Sequence, residues 1–165
     1  MKNLIIITFF LLIAATTYSQ DFDVPKSYSF EKAKDYTGQN HTVIKAVDWL
    51  ENTPLTQDTS KRKEVNAFLM AWLSGSPDVS IDLSGDIVTF MDCGDCLVVF
   101  MGGWAKYALV NKDYNNTLKG NIAGIESTIS FYQKNKNAIG KTKAIEKYIN
   151  QKDKGTLEDY IKSKI

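Results

Sequence analysis

The stretch LVVFMGGWAKYALV, Leu97 to Val110, decides the fold of this chain. Lys106 is its only charged residue, so a helix through it is apolar on every side. Such a helix cannot lie on a surface and belongs inside a domain. Gly102-Gly103 sits in its middle, where each glycine costs about 1 kcal/mol against alanine. That cost makes sense if another backbone approaches closely there. The stretch therefore predicts a central helix with a tightly packed neighbour.

The neighbour follows in sequence. Leu118, Ile122, Ile125, Ile129 and Tyr132 recur at steps of four and three, one stripe of a helix. Gly120 and Gly124 lie beside that stripe. Small residues four apart mark a membrane dimer face only within an apolar segment; Lys119, Asn121 and Glu126 exclude that context, leaving close packing against Gly102-Gly103.

Working back toward the N-terminus, Val65, Phe68, Leu69, Trp72 and Leu73 trace a third apolar face, with Ser60 as expected N-cap and Gly75 and Pro77 as stops. Val43, Ile44, Val47 and Leu50 trace a fourth, ended by Pro54. Between the third face and the central helix, Val79, Ile81 and Leu83 alternate with polar residues, which suits an extended connector. Ile87 to Met91 is expected to form a brief helix broken at Gly94, with Cys96 opening the central helix. Beyond Gly140, Ile145, Tyr148 and Ile149 make one short helix and Leu157, Tyr160 and Ile161 another. Thr156 and Asp159 give the last a capping-box-like start. No repeat of the length used by helical solenoids holds residue by residue. The expected architecture is all-α: six to seven short-to-medium helices, as a bundle or as stacked helix hairpins, in one domain over 41–165. Residues 20–40 lack a helical period and are read as an extended arm docking its aromatics on that domain.

The N-terminus sets the expected compartment. Lys2 precedes a twelve-residue apolar run, Leu4 to Ala15, and then Thr17 and Ser19 at spacings that suit signal peptidase. The run is short of the ~20 residues of a membrane span. Residues 1–19 are thus expected to be a secretory signal peptide, leaving a soluble, exported protein, periplasmic or extracellular. The Tyr-Ser-Gln ending resembles leaders of exported Gram-negative proteins, and no cysteine follows to carry a lipid anchor. The chain has 20 basic and 19 acidic side chains, and loss of Lys2 would balance them. Balance of that kind argues against nucleic acid, whose phosphates require a basic excess. Residues 141–165 carry seven lysines against four acids, read as a solvated helix face.

Cys93-Gly94-Asp95-Cys96 is the one motif with intrinsic chemistry. In an exported protein the two cysteines can oxidise, and closing so small a loop stabilises by about 2 kcal/mol in the chain-entropy model. A redox role also needs a thiolate at a helix N-terminus. Against it stand Asp92 and Asp95, whose charges oppose thiolate formation, and the absence of a βαβ pattern. A structural disulfide is therefore preferred over a redox pair. No metal site is expected, since two cysteines and one histidine fall short of a zinc set, and no cofactor loop is present. His41, the single histidine, is placed exposed at the start of a helix, and no nucleophile elbow exists to partner it.

The aromatics fall mostly on apolar helix faces, where core packing is the default. If a pocket exists, it is expected near Trp104, Tyr107 and Ile125, between the two central helices. No catalytic constellation emerges. The expected function is a non-enzymatic interaction or binding module with an unidentified protein or small-ligand partner in the cell envelope. The rivals are a thiol-disulfide protein using Cys93 and Cys96, and a small-ligand carrier.

Overall fold

The computed structural model describes residues 22–165. The expected leader, 1–19, lies outside the described residues. Seven helices are present among those described: α1 (Ala33–Thr37), α2 (Asn40–Asn52), α3 (Thr59–Leu73), α4 (Gly94–Asn111), α5 (Thr117–Ile139), α6 (Lys143–Asp153) and α7 (Leu157–Lys162). They contain no strand, and none is long and apolar enough to cross a membrane. The fold is all-α.

α4 is the central helix. Ten of its residues are buried, among them Val99, Phe100, Trp104, Ala105 and Ala108. It packs most extensively on α5 and also meets α2 and α3, while α6 and α7 pack on α5 and on each other. Its one charged side chain near the core, Lys106, pairs with Asp48 and Glu51 of α2. Burial pulls the Lys106 ammonium down, but these carboxylates outweigh it and hold it above its ordinary value.

Glycines set the α4–α5 distance. Trp104 lies against Gly120, and Phe100 lies against Gly124. Partner numbers fall along α5 as they rise along α4, so the two helices run antiparallel. A β-carbon at Gly124 would sit 2.7 Å from the Phe100 ring and 2.8 Å from its carbonyl oxygen. At Gly103 it would run into Ser127 and come 3.0 Å from the Ala123 carbonyl oxygen. Gly102 turns the other way, where a β-carbon would meet Val47 of α2 at 3.0 Å. The helix penalty of these residues is offset by close packing of large rings over the gaps.

The arm docks as the aromatics suggested, but it is not extended throughout. Phe22 is buried, Tyr28 meets Phe68 edge-on at 5.1 Å, and Phe30 stacks on Tyr36 at 4.9 Å. α1 interrupts it because the Asp35 carboxylate accepts the free N–H groups of Glu31 and Lys32 at 3.2 and 2.9 Å, satisfying the donors a helix start leaves open. The Tyr36 carbonyl then accepts from the Trp72 indole at 3.0 Å, and the Tyr36 ring occupies the space that a side chain at Gly75 would need.

Three local expectations are corrected. Ile87–Met91 is not a helix: the Ile87 and Val88 N–H groups donate to the Ser84 carbonyl and that of Thr89 to the Ile87 carbonyl, turn bonds that do not continue as a helix. The Ile87 carbonyl, which a helix would offer to Met91, instead accepts from the buried Tyr148 hydroxyl at 2.6 Å. Gly94 begins α4 rather than breaking a preceding helix, so α3 and α4 are joined by a long irregular strip, residues 74–93. At the helix starts, Asp58 rather than Ser60 stands at the N-cap of α3, at φ 47°. Thr156 makes no capping bond because its hydroxyl turns back to Gln151.

Candidate functional site

The irregular strip carries the features a site needs. Its core side is anchored: Val79, Ile87, Val88 and Phe90 are buried, and Phe90 contacts Phe100 and Tyr148 edge-on. Burial pushes the Tyr148 phenol up to about 12, with the neighbouring Tyr160 adding to the effect. The outer side of the strip is acidic. From Val65 to Ala105 the chain has Asp78, Asp82, Asp86, Asp92 and Asp95 and no lysine, arginine or histidine. None of these aspartates forms an ion pair among the described residues. That one-sided composition is hidden in the balanced charge of the whole chain and is legible only segment by segment.

Beside the acids lies a groove of about 350 Å³, bounded by Met70 and Leu73 of α3, Val79, Ile81 and Leu83 of the strip and Met101 of α4, with Ser74, Ser76 and Ser80 supplying its polar part. Met70 and Leu83 remain 38% and 42% exposed there, unusually open for large apolar side chains in contact with one groove. The backbone N–H groups of Ser80, Ile81, Asp82 and Leu83 have no hydrogen-bond partner among the described residues. The segment thus presents unpaired N–H groups beside this groove.

At the strip's end, Cys93 and Cys96 are joined as a disulfide. Cys93 is the N-cap of α4, and its sulfur accepts from the Cys96 N–H at 3.3 Å. Cys96 is fully buried, whereas Cys93 lines a second groove of about 280 Å³ with Leu55, Asp92, Asp95, Ile139 and Thr142. Asp95 in the first turn of α4 complements the helix dipole.

Arg62 stands behind this end of the molecule and went unnoticed as a core residue. It is 5% exposed, its guanidinium lying between the rings of Trp49 and Phe131 at 5.5 and 5.6 Å. One nitrogen, Nη2, donates to the Thr53 carbonyl at the end of α2, while Nε and Nη1 have no hydrogen-bond partner among the described residues. Burial lowers its pKa, and the charge of Asp95 acts the other way. A signal was present: Arg62 precedes Val65, Leu69 and Trp72 on the same helical stripe, despite sitting in the charged run SKRKE.

The residues expected to line a pocket do not come together. Trp104 and Ile125 are core residues at 3% and 0% exposure. Tyr107 alone of the three borders a shallow groove of about 260 Å³, with Glu51, Lys106, Val110 and Ser127. Its hydroxyl donates to Asp113 at 2.7 Å, and that hydrogen bond, with burial, raises its pKa. Asn116 also binds Asp113 and caps Lys119, so the group fixes the α4–α5 turn. His41 is exposed in the first turn of α2. No protein-family model, curated protein or solved structure matches this chain.

Proposed function

We propose that this chain is an exported helical interaction domain that receives an extended, cationic partner segment along residues 79–83. The observation carrying the proposal is the coincidence at one place of a groove lined by six large apolar side chains, four unpaired backbone N–H groups and an uncompensated acidic rim. An extended peptide can pair with such groups through main-chain hydrogen bonds, its alternate side chains entering the groove. Asp78, Asp82 and Asp86 favour lysine or arginine at the positions that face outward. The expected leader and the oxidised cysteine pair support export.

Titrating the full chain into a fluorescein-labelled alternating lysine–valine hexapeptide, followed by anisotropy, tests this reading. Saturable binding is expected, weakening by about tenfold between low and moderate salt as the aspartates are screened. It should also weaken in Asp82→Asn and in Leu83→Ser. Equal binding of a glutamate–valine hexapeptide would contradict the proposal.

A further inference from the structure

The disulfide is a feature separate from docking, and its two cysteines have different surroundings. Cys96 is fully buried, and Cys93 lies in the wall of a groove. Cys93 stands at the N-cap of an 18-residue helix, and its sulfur accepts from the Cys96 N–H at 3.3 Å. That position stabilises a thiolate on Cys93 once the bond is opened. Asp92 and Asp95 oppose this charge. Water weakens the field of the exposed Asp92 without removing it, and the buried guanidinium of Arg62 offsets part of the field of Asp95.

We infer that Cys93–Cys96 is an exchange-competent disulfide that accepts electrons from cysteine thiols in cationic or neutral surroundings. In the first step a substrate thiolate attacks Cys93 Sγ. A bond forms between the substrate sulfur and Cys93, the Cys93–Cys96 bond breaks, and its electron pair leaves on Cys96, which takes a proton from solvent. A second thiolate of the same substrate then attacks the substrate sulfur of this mixed disulfide and displaces Cys93 as thiolate. The substrate dithiol ends as a disulfide and the cysteine pair as a dithiol, two electrons having moved. The groove sets the selectivity: Leu55, Ala138 and Ile139 give it an apolar side, while Asp92 and Asp95 repel anionic thiols. Lys141 and Lys143 flank Thr142 in sequence but are solvent-exposed and do not line the groove.

The test compares two small thiols on the oxidised full chain: cysteamine, which is cationic, and 3-mercaptopropionate, which is anionic. Opening is followed by alkylation and intact mass at matched thiolate concentration. Cysteamine is expected to react about fivefold faster at low ionic strength, the difference expected of a carboxylate pair acting through water. That ratio should fall toward one at high salt and in Asp92→Asn. Cys96→Ser, exposed to cystamine, should retain one cysteamine on Cys93. Opening only under denaturant, or equal rates for the two thiols, would overturn the inference. The wild-type rates decide the matter even if Cys96→Ser is unstable, and either result leaves the peptide-binding test untouched.

Discussion

The α4–α5 pair and the strip at residues 74–93 are adjacent in the chain and organised by opposite means. The helix pair is regular, uses three glycines, Gly103, Gly120 and Gly124, to bring its axes together, and buries ten residues of α4 and nine of α5. The strip has no regular structure, yet it buries Val79, Ile87, Val88 and Phe90 while leaving Leu83 and Met91 exposed at 42% and 60%. One region satisfies its backbone internally. The other leaves four consecutive N–H groups open over residues 80–83. The difference separates packing from recognition: the pair supplies a close-packed floor, and the strip pinned to it carries four of the five aspartates, part of two grooves and Cys93 of the disulfide.

The sharpest way to break this contrast is Phe90→Ala. If the strip were only a linker, the change would be nearly neutral. Because Phe90 is fully buried against Phe100 and Tyr148, a loss of about 3–5 kcal/mol is expected, read from the midpoint of a urea titration. Gly124→Ala probes the other region. Its methyl group would meet the Phe100 ring and carbonyl, so a loss of about 1–2 kcal/mol is expected from overpacking, after an intrinsic helix gain of about 1 kcal/mol. A neutral result would mean that the glycines do not set the interhelical distance.

Tyr148→Phe gives the smallest effect at neutral pH, about 1 kcal/mol for the bond to the Ile87 carbonyl, and adds a pH signature. The folded phenol titrates at about 12 against an ordinary value of 10.0. A raised folded value means that stability is fully present below pH 10.0 and is lost as pH climbs from there toward 12. The wild type should therefore weaken across that window more steeply than the Phe variant, as followed by circular dichroism. Parallel alkaline curves would remove Tyr148 as the clamp on the strip.

The same contrast explains what could be read from the residues. Leu97–Val110 announced a buried helix, and the 118–132 stripe announced its partner, because helical period and burial reinforce each other there. Their glycines even pointed to close approach. The strip resisted such reading. Ile87–Met91 resembles a helical turn until Tyr148, 61 residues from Ile87, claims the carbonyl that a helix would use. Arg62 looked like a surface charge because the two rings enclosing it come from α2 and α5. The cysteine pair was legible as a disulfide, but its unequal exposure depends on Leu55, Ile139 and Thr142. Tertiary partners, not local propensity, decided each of these.

Hydrogen exchange of the full chain, with and without the lysine–valine hexapeptide, tests the central claim most directly. Amides of Phe100 and Trp104 in α4 should exchange slowest and be unaffected by the peptide. Those of Ser80 to Leu83 should exchange fast in the free protein and slow by at least about tenfold when it is bound. Unchanged exchange at residues 80–83 under saturating peptide, or protection confined to another surface, would contradict the account.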